Sequence, residues 1–178
     1  MSFKRSTIFI PKTFAAFDDS VHEIVVLGDS VGEVFHVCVW LVDTSLETSV
    51  RLDMSPSYTD PANLMQGIVS LQSLPYTHTS NHNSVERTDP FTCKIAGGVN
   101  LTVASICHAI FNEARLDRYV FDDSGNGCRQ WCAQVVCELE KKNYIPKGSI
   151  TRFKDWEDKQ YAVLGSRFPM PRIMGKFN

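Results

Sequence analysis

No stretch of this chain approaches the roughly 18 consecutive apolar residues that a helix needs to cross a bilayer. The opening residues MSFKRSTIFIPKTF also lack the long apolar segment and cleavage site of a secretory leader. The expectation is a cytoplasmic chain with reduced thiols and no membrane partner. Charge of one sign is scarce as well. Residues 1–100 hold six Lys or Arg against eleven Asp or Glu, and the remainder twelve against nine, which closes on the net −2. So mild a basic bias in the second half falls short of the footprint of a dedicated nucleic-acid binder. Paired CxxC motifs are missing too. The six cysteines (Cys38, Cys93, Cys107, Cys128, Cys132 and Cys137) therefore do not read as a zinc site, and neither a metal nor another cofactor is expected. There is no internal repeat.

What is present suits one α+β domain of 178 residues, with 43% apolar and 21% charged side chains. The Val-rich and aromatic segments 22–27 and 34–42 predict strands, and 48–54 a third strand after the polar turn Asp43–Glu47. Segments 66–74 and 91–96 predict two more, separated by a polar loop over 75–90 with proline at each end. Residues 101–115 and 128–142 carry apolar side chains at helical spacing. In the second helix Cys128, Trp131, Cys132, Val135, Val136 and Leu139 form one stripe. Residues 118–121 read as a connector or edge strand. The expected arrangement is an antiparallel sheet packed against two main helices, with a core over about 20–145. Residues 146–178 are expected to form an irregular wrapping segment.

The chemistry concentrates at Asp122-Asp123-Ser124-Gly125-Asn126-Gly127-Cys128. The two glycines and the asparagine let the backbone turn sharply, and a helix then opens at Cys128. The first N–H groups of a helix lack intrahelical partners, and the macrodipole adds positive potential there. Both favour a thiolate, the form in which cysteine is a nucleophile. Free N–H groups near Gly127 and Cys128 also suit an acyl oxyanion. The plainer alternative is that Cys128 simply begins an apolar stripe, because free cysteine is usually a buried hydrophobe. The other five cysteines read that way.

A thiolate needs a base, and His36 is the candidate among five histidines. It lies inside an apolar strand, where an imidazole must be hydrogen-bonded, either as a core residue or as part of a site. His78 and His82 fall in the polar loop, His108 beside a helical stripe, and His22 ahead of the first strand. Asp53, on the strand after that of His36, is the candidate to orient the ring, with Glu33 and Asp43 as weaker choices.

A histidine on a strand, a polar residue on the next, and a cysteine opening a late helix together resemble the circularly permuted papain-like folds. The strings HVCVWLV, SVRLDM, LDRYVF and GNGCRQW, with a QG-containing strand, resemble a family of small fungal proteins that includes the arginine-containing cyclodipeptide synthases. The resemblance spans about His36 to Ile145. It implies acyl transfer from aminoacyl-tRNAs, one of them arginyl-tRNA, to give a diketopiperazine. Cys128 would accept the acyl group, His36 would shuttle the proton and Asp53 would orient it. Asn126 and Gly127 would lie against the substrate. Asp122, Asp123 or Glu33 would pair with its guanidinium, and Trp40 and Trp131 would wall the pocket unless they are structural. Arg115, Arg118, Lys141, Lys142, Lys147, Arg152 and Lys154 offer a limited patch for the tRNA end, or are solvated helix faces. Two rivals stand beside this reading. One is a cysteine hydrolase or amidase with the same dyad, and the other is a non-catalytic binding module on the same scaffold.

Overall fold

The structure is a computed structural model and describes residues 7–43, 48–58, 62–75 and 86–178. Residues 44–47 of the expected polar turn, and His78 and His82 of the polar loop, lie outside the described residues. The fold is α+β. Its main sheet runs β1 (Ile8–Phe9), β5 (Gly67–Pro75), β4 (Thr48–Pro56), β3 (Val34–Asp43), β2 (Ser20–Val31) and β6 (Phe91–Lys94), with β7 (Leu101–Thr102) also on β2. Every pairing is antiparallel except β1 with β5.

Strand alternation divides this sheet into two faces. Val37, Val39, Leu41, Val50, Leu52, Met54, Val69 and Leu71 are buried on one face, in the large core that the helices cover. On the opposite face Val25, Cys38, Trp40 and Val42 form a smaller cluster. His36 belongs to this second face, two residues before Cys38.

The helix α1 (Val103–Cys107) continues directly into a π-helical turn, His108–Glu113, so the expected helix over 101–115 is shorter and begins with a strand. Thr102 caps it: its hydroxyl accepts from the Ser105 N–H while the Ser105 hydroxyl accepts from the Thr102 N–H. The helix α2 (Cys128–Lys141) lies as its apolar stripe requires, with Trp131, Cys132, Val135, Val136 and Leu139 fully buried.

The C-terminal part differs from expectation. Residues Ser149–Leu164 form a third helix, α3, rather than irregular wrapping. The signal was Phe153, Trp156, Glu157 and Gln160, which share a buried face at helical spacing. Two of the four are polar, and that hid the stripe. Among the described residues, no helix is long and apolar enough to cross a membrane. After α3 the chain runs through Arg167–Ile173 to β9 (Lys176–Phe177), which pairs with β8 (Tyr119–Val120).

Candidate active site

The site begins with a split in the sheet. The pairing of β3 with β4 ends at Val39↔Leu52, although β3 stays paired with β2 as far as Val34, and β4 with β5 as far as Pro56. Residues 34–38 of β3 therefore have no ladder partner on the β4 side. Unpaired buried backbone groups are costly, so something must replace the missing strand. The first turns of α2 do so. The Val37 N–H donates to Cys128 Sγ at 3.4 Å, and Cys132 Sγ donates to the Val37 carbonyl at 3.4 Å. Two sulfurs one helical turn apart thus occupy one rung of a broken ladder.

The turn that aims α2 into this split is built as the sequence suggests. The Asp122 carboxylate accepts from the N–H groups of Ser124 at 3.1 Å and Asn126 at 2.6 Å. Gly127 has φ +137°, and a Cβ there would meet Tyr119 Oη at 2.4 Å. The Tyr119 hydroxyl donates to the Gly127 carbonyl at 2.8 Å, so the position demands glycine twice over. No side chain caps the first turn of α2, which leaves its leading N–H groups beside Cys128.

Asp53 stands where β4 leaves β3, and its Oδ1 is 2.7 Å from His36 Nε2. Ser55 Oγ donates to the same carboxylate oxygen at 2.7 Å, and Arg51 Nη2 lies 3.5 Å from Oδ2. With Nε2 taken by Asp53, Nδ1 is the ring nitrogen left for sulfur. The Cys128 and Cys38 thiols both act to hold the proton on the ring. The ring is 29% exposed and the carboxylate 16%, so solvent reaches the imidazole but hardly the carboxylate.

These contacts set the charge state. Burial alone pushes the His36 imidazolium down, but hydrogen bonds to Asp53, Cys128 and Cys38 outweigh it and raise its pKa. Burial pushes the Cys128 thiol up, yet the His36 hydrogen bond and charge, with the N–H groups of Val37 and Arg129, bring its pKa below the ordinary value of 9.0. Asp53 is lowered despite burial, chiefly by its bond to His36. Both shifts run toward a thiolate–imidazolium pair, with the carboxylate favouring the charged ring. Cys38 and Cys132 go the other way, raised by burial.

His36, Cys38 and Asp53 also offer three donor atoms within 4.8 Å of one another, a spacing that a metal ion can bridge. A metal would need the Cys38 thiol deprotonated, against its raised pKa, and would displace the short His36–Asp53 bond. The donor set therefore suits a proton network better than an ion.

Beside Cys128 opens a pocket lined by Val34, Phe35 and Val37 of β3, by Asn126 to Arg129, and by Arg167, Phe168, Pro169 and Ile173 of the C-terminal segment. Of the expected substrate-binding residues, Asn126 and Gly127 line it. Trp131 does not: it is fully buried, and its Nε1–H donates to the Leu116 carbonyl at 2.9 Å. Trp40 lies in the cluster on the opposite face of the sheet, with the Arg51 guanidinium 5.8 Å from its ring centroid. Asp122 is spent on shaping its own loop. Glu33 is exposed at the β2–β3 turn, Asp123 is exposed in the loop, and none of these carboxylates lines the pocket. The alternative orienter Asp43 sits at the far end of β3, where it accepts from Thr48. His108 pairs on the surface with Glu113 at 2.9 Å, and His22 is exposed on β2.

The sequence reading missed three contributors. The Val37 backbone became visible only with the split ladder. Arg129 is 7% exposed, and its signal was a charged residue within the buried run of α2. The pocket's far wall, Arg167–Ile173, comes from the segment expected to be irregular.

No curated protein and no solved structure matches this chain. A family model, described as a domain of unknown function (DUF7770), matches residues 21–178. On that match, which takes in the split strand pair, the α2 turn and the wall of the pocket, the chain belongs to the DUF7770 family.

Proposed function

We propose that this protein is a cysteine-dependent acyl transferase in which Cys128 is the nucleophile, His36 the proton shuttle and Asp53 the group that orients the ring. The observation that carries the reading is a single sulfur at the uncapped start of α2, accepting the Val37 N–H and lowered in pKa by an imidazole whose Nε2 is held 2.7 Å from Asp53. Cys128 Sγ attacks an acyl carbonyl, and the free N–H groups at the start of α2 take the developing oxyanion. The bond to the leaving oxygen or nitrogen breaks, and His36 supplies the departing atom's proton. The thioester is then relieved by an incoming nucleophile, which passes a proton back to His36 as Cys128 leaves.

The resemblance to arginine-containing cyclodipeptide synthases makes aminoacyl-tRNA the narrower choice of donor. The amine of a second aminoacyl group would attack the thioester, and ring closure on the second ester would release the diketopiperazine. One observation favours the rival hydrolase or amidase: the pocket beside Cys128 is lined by Arg129 and Arg167, which suits a substrate guanidinium poorly. Part of the basic patch proposed for tRNA is also engaged on the surface, Lys141 with Glu138 at 2.6 Å and Lys142 with Glu113.

The test has two stages. Rapid alkylation of Cys128 ahead of the other thiols at neutral pH is expected, and a Cys128 as slow as Cys132 would leave only a binding module. Incubation with arginyl-tRNA and a mixture of other aminoacyl-tRNAs then separates the transferase from the hydrolase. A cyclic dipeptide containing arginine supports the first. Its absence, with turnover of amide or ester substrates, supports the second.

A further inference from the structure

The pocket wall carries a charge that the acyl-transfer chemistry does not use. Glu157 is fully buried and is shared by two guanidinium groups, Arg129 with Nε 3.2 Å from its Oε1 and Arg172 with Nε 2.7 Å from the same oxygen. Arg172 also grips Oε2 and donates to the Gln130 side-chain carbonyl at 2.9 Å. Two cations on one carboxylate leave one positive charge over, in a place where uncompensated charge is costly. The excess sits on the Arg129 side. Arg129 stacks on Phe168 with its guanidinium carbon 4.1 Å from the ring centroid, and its Nη2 is taken by the Pro169 carbonyl. Its Nη1 is buried and has no hydrogen-bond partner. Arg129 follows Cys128 directly, and both line the same pocket.

Arg167 stands in the same lining. Its Nη1 holds Glu86 at 2.6 Å, its Nη2 holds Ser30 at 2.8 Å, and it stacks over Phe35 at 4.9 Å. A second cation is thus fixed in the pocket wall by Glu86 and Ser30 outside the pocket and by Phe35 in its lining. No carboxylate is among the lining residues. The Cys128 thiolate is matched by the His36 imidazolium, and both charges go together when the sulfur is acylated, so neither offsets the excess on Arg129. The pocket therefore favours an anion with or without an acyl group attached.

We propose that Arg129, supported by Arg167, forms a subsite for an oxyanion group, a carboxylate or a phosphate, carried by the substrate that Cys128 acylates from or transfers to. The inference rests on the acyl-transfer reading for its purpose, but anion binding is measurable without it. Arg129 binds and places the substrate and takes no part in bond making. The unpaired N–H supplies one charge-assisted hydrogen bond, and the fixed second cation raises the local potential.

The probes are inorganic phosphate and a short dicarboxylate, glutarate, each against sodium chloride at matched ionic strength. In the intact protein both the melting temperature and the rate of Cys128 alkylation by iodoacetamide are followed. Saturable protection of Cys128 and a rise in melting temperature are expected from at least one probe. Protection by phosphate alone assigns the group to a phosphate ester, and protection by glutarate alone to a substrate carboxylate. In Arg129→Met, which leaves Arg172 on Glu157, the affinity for the protecting anion should fall roughly tenfold or more. Should that variant fail to fold, Arg167→Gln, at a partly exposed position, is expected to weaken the same binding severalfold. Fast alkylation that neither probe slows, with no melting shift, overturns the subsite and spares the nucleophile. Slow alkylation with a clear anion-dependent melting shift does the reverse.

Discussion

Cys128 and Cys132 are one helical turn apart and touch the same residue, yet they are opposite chemical objects. Cys128 accepts the Val37 N–H, whereas Cys132 donates to the Val37 carbonyl. The first therefore gains a donor that steadies a thiolate, and the second gains an acceptor that steadies a thiol. Cys128 also meets the imidazole and the open end of the helix. Cys132 is fully buried, with its pKa raised well above the ordinary value and the Cys128 charge adding to the rise. Burial disfavours both anions. What separates them is the direction of one backbone rung and the presence of His36.

The comparison breaks most completely at Cys128 itself. On the proposed reading, Cys128→Ala is expected to abolish fast alkylation and lower acyl transfer by at least about 10³-fold, because nucleophile and base act as a unit. Cys132→Ala should leave both nearly intact. Mass-mapped alkylation and steady-state kinetics read the two outcomes, and equal losses in the two variants would erase the distinction.

The next largest effect belongs to His36→Asn. Alkylation of Cys128 in the native protein should have its pH midpoint below 9.0, the ordinary thiol value. The variant should move it to 9.0 or above, with a loss of roughly tenfold or more in rate at pH 7. Stability follows from the same pair. The raised His36 stabilises the fold fully below about pH 6.5, the ordinary value for histidine, and that contribution is lost as pH rises. The lowered Cys128 stabilises it fully above about 9.0, and that contribution is lost as pH falls. Replacing His36 removes both contributions, so a weaker dependence of stability on pH in His36→Asn is the expected denaturation outcome.

Asp53→Asn sharpens the comparison more gently. It removes the charge beside Nε2, so the His36 pKa should drop and the Cys128 midpoint should rise, by less than in His36→Asn. A shift as large as that of His36→Asn would make Asp53 more than an orienting group. The smallest effect is on the structural sulfur. Cys132→Ala is expected to cost about 1 kcal/mol of stability in urea unfolding, through a lost contact and a weakened rung. No change at all would mean that water satisfies the Val37 carbonyl.

Much of this was legible in the residues. The strand alternation of HVCVWLV marked β3 and placed an imidazole where it had to find a partner. GNGC marked a turn that only glycine tolerates, and the stripe beginning at Cys128 marked α2. Asp53 emerged from hairpin order alone. Other features were not legible. Trp131 and Trp40 carried the same aromatic signal, but one fills the core and the other sits on the far face of the sheet. Neither faces the pocket, because the side on which a residue is buried depends on what packs there. The helix α3 was hidden because its buried face includes Glu157 and Gln160, which look like surface residues until Arg172 and the Asp89 N–H partner them.

The sequence by itself determined the local pieces: which segments alternate, where the chain must turn through positive φ, and which cysteine opens a helix. Those depend on neighbours a few residues away. Only the tertiary structure decided that β3 and β4 part at Val39 and that α2 fills the gap. It also decided that Arg129 and Arg167, rather than carboxylates, line the pocket beside the sulfur. Such outcomes are set by packing between segments distant in the chain, where burial and charge pairing weigh more than any local preference.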